Sequence, residues 1–219
     1  MLIERFDRIS IENVVYRVHQ EDFAQALGLP ARLKYERRGT AERRFDTQGI
    51  SALLDRLSSP AQARETFVLA TLFNLAIGNT DNHAKNHGIL HGLDGQVKLT
   101  PLYDLVPIRL HRNYTHEFSY NLGGATHFDA MEPEQMERFL AEFGVVGTRA
   151  RRFVEGTVKP MMEKIDHGAL RLRDVGQKRF DDLIGRELNH LSHLLDINVP
   201  IRQRDYFTSE AVGGWVTGS

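Results

Sequence analysis

A mixed α+β fold, mainly helical with a small β portion at the N-terminus, is what the order of patterns along this chain predicts. Three observations carry it. Met1 to Val18 is rich in β-branched and aromatic residues, the run from Phe67 to Ile77 is apolar on every side of a helix, and three helical patterns follow Pro133.

The first stretch contains Leu2-Ile3-Glu4-Arg5-Phe6 and Val14-Val15-Tyr16-Arg17-Val18, two short strands joined by a polar connection around Ser10 to Asn13. Glu21 to Leu27 then reads as a short helix closed by Gly28 and Pro30. Beyond the basic stretch Lys34 to Arg44, Ile50, Leu53, Leu54 and Leu57 recur at helical spacing. Ser59-Pro60 is a cap and first-turn signal for the long apolar helix, which ends at Gly78. Phe67, Val68, Leu69, Leu72, Phe73, Leu75 and Ile77 cover its circumference, so it is expected to be buried on most sides.

His87 to His91 and Gln96 to Thr100 flank Gly92-Leu93-Asp94-Gly95, a hairpin with Asp-Gly at its turn, and Pro101 stops the second strand. A looser segment with Gly123-Gly124 leads to helices over Pro133 to Phe143, Thr148 to about Ile165, and Asp174 to about Leu195. Pro160 must kink or break the middle one, because it lacks the N–H that a helix interior needs. Gly213, Gly214 and Gly218 mark a tail.

The chain has 219 residues, enough for one large domain or two small ones. Lys and Arg number 28 against 29 Asp and Glu, so no global field draws in nucleic acid or an anionic surface. Two local basic clusters exist, Arg37, Arg38, Arg43 and Arg44, and Arg149, Arg151 and Arg152. Each reads as a solvated face or as a phosphate or nucleic-acid patch. With no cysteine, a disulfide scaffold and thiolate chemistry are excluded. No apolar run approaches the roughly 20 residues of a membrane span, and Met1-Leu2-Ile3-Glu4-Arg5 is too charged to open a signal peptide. The expectation is a cytoplasmic protein with no membrane partner.

The chemistry concentrates in Gly78-Asn79-Thr80-Asp81-Asn82-His83-Ala84-Lys85-Asn86 and Pro101-Leu102-Tyr103-Asp104-Leu105-Val106. An aspartate, an asparagine five residues on and a second aspartate beyond a hairpin is how kinases arrange a base and two Mg²⁺ ligands around ATP phosphates. Asp104 and Asn86 offer the hard oxygen ligands that Mg²⁺ takes. Asp81 would orient an acceptor hydroxyl and take its proton, and Lys85 would offset charge at the γ-phosphate. Taken singly, Asn79 and Asp81 also suit a helix C-cap and turn, and Tyr103-Asp104 a turn after a strand. A rival set, His83, His87 and His91 with Asp81, would ligate Zn²⁺ or Fe²⁺ if the segment were helical, which Gly88, Gly92 and Gly88-Ile89-Leu90 argue against.

At these residues the chain resembles the HipA family of bacterial serine/threonine kinases, the toxin half of toxin–antitoxin pairs. Phe73-Asn74-Leu75-Ala76-Ile77-Gly78 through Asn86 is similar to the family's catalytic loop and the helix before it, and Leu99-Thr100-Pro101-Leu102-Tyr103-Asp104-Leu105-Val106 to its metal-binding segment. Glu4-Arg5-Phe6-Asp7-Arg8, His19-Gln20-Glu21-Asp22-Phe23-Ala24-Gln25-Ala26-Leu27-Gly28 and Lys34-Tyr35-Glu36 match further family motifs. The resemblance implies the large C-terminal lobe of a kinase-like fold of the HipA type. Residues 1–18 would be the hinge strand and a β remnant of the smaller lobe, 19–200 the helical lobe and 201–219 a tail. It places Glu4 and Phe6 at the adenine, Gln20 and His83 near the nucleotide, and Asp81, Lys85, Asn86 and Asp104 in the roles just described, with Asn86 and Asp104 on the metal.

The resemblance further implies ATP and Mg²⁺ as cofactors and a protein serine as acceptor, in known members on an aminoacyl-tRNA synthetase. The expected partner is a small helix-turn-helix antitoxin of the HipB kind, with DNA contacted only through it. Asn79-Thr80 before Asp81, His83 second after it and Lys85 later depart from ordinary kinases as HipA-like proteins do. Full-length members carry a phosphate-covering loop and a strand lysine before the hinge. Here no lysine precedes Lys34 and no Gly-rich loop precedes Gly28, so the chain is expected to begin at the hinge. Losing that clamp removes about 4 kcal/mol of transition-state stabilisation, a thousandfold in rate. The isolated chain is therefore expected to be a weak or inactive kinase unless a separate N-terminal lobe chain complements it. The alternative is an inactive module that holds an antitoxin or another protein. Leu2, Ile3 and Phe6 are expected on an unpaired edge open to self-association.

Overall fold

The structure, a computed structural model, describes residues 5–204. It divides into two compact units, each built from separate stretches of chain.

The first unit takes Met1–Phe67, Asn82–Asp104 and Ser119–Asn121. Strands β1 (Arg8–Ile11) and β2 (Val14–Arg17) form an antiparallel hairpin in which Ile11 faces Val14. Glu12 and Asn13 turn it with φ of 49° and 64°, the twist that a two-residue hairpin requires. The first strand therefore lies later than expected, with Ser10 inside it. Leu2, Ile3 and Glu4 fall outside the described residues, and Phe6 belongs to no strand. Apolar side chains of this hairpin are exposed, Val15 to 66%.

Strand β3 (His19–Asp22) was not expected; it pairs antiparallel with β4 (Gly88–His91), which pairs with β5 (Val97–Leu99). Asp22 then caps the one-turn helix α1 (Phe23–Ala26), its carboxylate accepting from Gln25 N while the Gln25 side chain accepts from Asp22 N. That reciprocal box starts the helix after Asp22, two residues later than the apolar spacing predicts. Helix α2 (Thr47–Leu54) is capped by Asp46 and buries Ile50, Leu53 and Leu54, as expected. The core of the unit is aromatic: Phe23 stands 6.0 Å from Phe67 and 5.1 Å from His87, and Phe45 stands 5.2 Å from Tyr120, ring centre to ring centre.

The long helix α3 (Pro60–Ala76) contributes its first turns to this unit and the rest, from Val68, to the second. The second unit also takes Leu105–Phe118 and Leu122 onward. Strand β6 (Glu117–Leu122) pairs with β7 (Ala125–His127) around Gly123-Gly124, a hairpin where only a loose segment was expected. Helices α4 (Pro133–Glu142), α5 (Gly147–Phe153) and α6 (Lys159–Gly168) follow, and α5 leads into α6 through a π-helical turn, Val154–Val158. The irregularity falls one turn before Pro160, where the missing N–H leaves the carbonyl one turn back without its α-helical donor. A short helix α7 (Leu170–Asp174), absent from the sequence reading, precedes α8 (Lys178–Leu194).

Helix α8 is the centre of this unit and packs against α4, α6 and α7. It buries Leu183, Ile184, Leu188, Leu191 and Leu194 together with the charged Asp181, Asp182 and Glu187. Those charges are paired. Arg204 donates to Asp181 at 3.1 Å and to Asp166 at 2.6 Å, and Arg109 reaches Glu187 at 3.1 Å and Asp129 at 2.5 Å. Among the described residues no helix is long and apolar enough to cross a membrane.

Candidate functional site

The residues singled out in the sequence divide between the two units, with Asp81 in the second and Phe6, Gln20, His83, Lys85, Asn86 and Asp104 in the first. Glu4 lies outside the described residues.

Asp81 is held by the end of α3. Gly78 takes φ of +73°, and the Asn79 and Gly78 N–H groups donate to Asn74 O and Leu75 O at 2.8 and 3.0 Å, a Schellman cap. A relay of side-chain amides continues from it. Asn74 Nδ2 donates to Ala70 O at 2.8 Å, Asn79 Nδ2 to Asn74 Oδ1 at 2.7 Å, and Asp81 N to Asn79 Oδ1 at 3.2 Å. Arg109 N–H donates to Gly78 O at 3.0 Å. The loop that carries Asp81 is thus tied at every step to buried groups of its own unit.

In the first unit a cleft of about 410 Å³ opens between β3, the segment before β1 and the end of the 100–104 segment. Phe6, Gln20, Asp22, Lys85 and Tyr103 line it, so the structure brings together three of the residues named from the sequence, Phe6, Gln20 and Lys85. Its volume is that of ordinary small-molecule sites. Phe6 stacks on Tyr103 with ring centres 6.1 Å apart, and the Tyr103 hydroxyl donates to Lys85 O at 2.9 Å. Burial, with Asp22 and Asp104 nearby, pushes the Tyr103 phenol up to about 12, so it remains a donor at any physiological pH. Lys85 Nζ pairs with Asp22 Oδ2 at 2.6 Å, while the other carboxylate oxygen of Asp22 caps α1.

Lys85 and Asn86 stand on a 3₁₀ turn, Ala84–Asn86, fixed by Ala84 N donating to Lys34 O and Asn86 N to His83 O at 3.1 and 2.8 Å. Asn86 is buried. His83 is also buried, 2.7 Å from Lys34 Nζ and edge-on to Tyr35. An ammonium only donates, so His83 Nε2 accepts there. Asp104 is exposed with φ of +56°, a left-handed conformation that aspartate tolerates better than most residues.

The rival histidine set has no helix to stand on. His83 precedes the 3₁₀ turn, His91 ends β4, and His87 lies inside the aromatic core, where burial lowers its imidazole to about 4 and keeps it neutral. Sequence reading missed Asp22 and Tyr103 as cleft residues and Asn74 as support for the Asp81 loop. Two signals were present, the Asp-x-x-Gln capping pattern at Asp22 and an asparagine in the last turn of an apolar helix.

Comparison with known proteins gives one consistent answer. Residues 1–167 match the family described as HipA-like C-terminal domain. Y4mE of Sinorhizobium fredii, a kinase by name, is 34% identical over 169 residues, covering 75% of this chain and 39% of the relative. The serine/threonine-protein kinase toxin HipA of Shewanella oneidensis is 30% identical over 154 residues, covering 66% of this chain and 35% of the relative. A chain from the Shewanella oneidensis complex of HipA, HipB and operator DNA superposes with a TM-score of 0.73 at 22% identity, over 89% of this chain and 48% of that one. That likeness establishes the fold. The chain spans less than half the length of each of these proteins.

Proposed function

The chain belongs to the HipA-like C-terminal domain family, and on that premise we propose that it carries the phosphoryl-transfer machinery of a HipA-like serine/threonine protein kinase. The observation that carries the proposal is the cleft of the first unit, which gathers an aromatic pair, Phe6 and Tyr103, an amide, Gln20, and an ammonium, Lys85. An adenine suits the first and phosphates the last.

The donor set fits Mg-ATP. Asn86 and Asp104 offer the hard oxygens that Mg²⁺ accepts while keeping most of its waters, and Lys85 stands beside Asn86 in sequence as a point cation. Bound there, ATP would supply the γ-phosphoryl group and Mg²⁺ would offset its negative charge. The protein's own part is positional. Asp81 orients a serine hydroxyl and accepts its proton, the Asn74–Asn79 relay fixes Asp81, and Tyr103 anchors the turn carrying Lys85 and Asn86 through the Lys85 carbonyl. Gln20 and His83, with Glu4 and Phe6 at the adenine, complete the nucleotide side.

The proposed partners are a protein with an acceptor serine, of the aminoacyl-tRNA synthetase class, and a small helix-turn-helix antitoxin. A nucleotide phosphate would take Lys85 from Asp22, which pairs with it at 2.6 Å. That pair, which satisfies the ammonium without a ligand, is the observation that favours the second reading, a module that binds a protein partner without transferring phosphate.

Calorimetric titration of the 219-residue chain with Mg-ATP, beside Asp104→Asn, tests the proposal. Binding that the variant abolishes is the expected result. A folded chain that binds no nucleotide overturns it and leaves the binding module.

A further inference from the structure

Strand β3 pairs with β4 so that His19 lies directly opposite His91, with their ring centres 4.9 Å apart. Glu21 is two residues beyond His19 on β3 and therefore on the same face, diagonal to His91. Its Oε1 is 2.9 Å from His91 Nε2. One ligand atom from each of the three side chains lies within 4.8 Å of the others.

We propose that His19, Glu21 and His91 form a binding site for a divalent transition-metal ion of the zinc class, separate in residues and in chemistry from the Mg²⁺ ligands Asn86 and Asp104. Two imidazoles and one carboxylate select borderline cations such as Zn²⁺ over the hard Mg²⁺ and Ca²⁺. Tetrahedral bonds of 2.0–2.1 Å place ligand atoms about 3.3 Å apart. The spacing in the cluster brackets that value, so closure needs side-chain rotation only. His19 is exposed, and Glu21 and His91 are half-buried, which gives the ion an entry path and leaves its fourth position open to water.

The consequence is mechanical. His19 and Glu21 sit on β3, while His91 ends β4 about 70 residues later in the chain, so the ion clips two strands that have no local connection. Gln20 and Glu21 of the clipped strand also line the cleft. The site does not depend on the kinase reading, because its ligands and its cation differ from those of phosphoryl transfer.

The test is titration of the 219-residue chain with ZnCl₂ against a competing chelator, with Co²⁺ absorption as a spectroscopic reporter of tetrahedral coordination. One equivalent is expected, unaffected by excess MgCl₂. His19→Ala, His91→Ala and Glu21→Gln should each weaken it by about tenfold or more and abolish the tetrahedral Co²⁺ bands. At a hundredfold excess over its Kd the ion should raise the unfolding midpoint by about 5–11 °C. His19 is exposed, and far-UV circular dichroism checks that each variant is folded. The chain has ten histidines. If the folded His19→Ala/His91→Ala double variant binds Zn²⁺ with the parent's affinity, or Co²⁺ binds without tetrahedral bands, the assignment is wrong.

Discussion

Replacing Gly78 by alanine tests whether the Asp81 loop stands on a rigid support. Two costs follow from the structure. The residue holds φ of +73°, and a Cβ in the left-handed region costs about 1–2 kcal/mol, part of it returned by the loss of glycine's freedom in the unfolded chain. The new methyl would also stand 2.7 Å from Leu183 Cδ2 and 3.3 Å from Leu183 Cγ, on a side chain that is 2% exposed in the core of α8. Leu110 and Phe180 pack against Leu183, so its displacement disturbs them and overpacking adds about 1–3 kcal/mol. Gly176, in the same unit, has φ of +78° and nothing within 4 Å of its would-be Cβ. Gly176→Ala pays the backbone cost alone, about 1 kcal/mol net. Gly78→Ala should therefore lower stability by about 3 kcal/mol, or roughly 6–12 °C in Tm, against 2–4 °C for Gly176→Ala. Urea and thermal unfolding of both variants beside the parent give the difference directly. Equal losses would refute the reasoning, because they would mean that the loop yields without strain against α8.

Asp181 is fully buried and pairs with Arg202 at 2.6 Å, Arg173 at 2.8 Å and Arg204 at 3.1 Å, so Asp181→Ala leaves three guanidinium groups short of a partner and should cost about 3–5 kcal/mol in denaturant unfolding. His87 titrates at about 4 in the folded protein against 6.5 unfolded, so between those values the unfolded chain binds a proton that the folded one does not. Its contribution is fully present above pH 6.5 and is lost as pH falls towards 4, to a limit of about 3 kcal/mol. In His87→Phe that part of the slope should vanish, and urea titrations from pH 7 to about pH 4 would show it as a widening gap in favour of the variant.

Elements with a strong local pattern were legible in the sequence, and elements fixed by distant pairing were not. Helix α3 is recognisable from its apolar circumference, α2 from Ile50, Leu53 and Leu54, and the β4–β5 hairpin from its Asp-Gly turn. Strand β3 has the sequence His-Gln-Glu-Asp, which shows no apolar alternation; its main-chain pairing with β4 makes it a strand, and that partner is far along the chain. The β6–β7 hairpin is a different case. Phe118, Tyr120 and Leu122 alternate with Glu117, Ser119 and Asn121 before Gly123-Gly124, a readable period of two that the glycine pair obscured.

The candidate site divides the same way. Spacing along the chain is enough to single out Asp81, Asn86 and Asp104, but what holds Lys85 depends on a strand that spacing does not reveal. Asp22 ends β3, caps α1 with one oxygen and takes Lys85 Nζ on the other. The lysine side chain is 43% exposed, so water and salt screen the pair and it contributes about 1 kcal/mol or less. On the proposed reading that weakness has a purpose. A nucleotide phosphate carries more charge than one carboxylate and takes the ammonium from Asp22 at little cost, while Asp22 keeps its cap through the other oxygen and α1 stays formed. The cation is thus held in the cleft before a ligand arrives, yet loosely enough to be given up when one does.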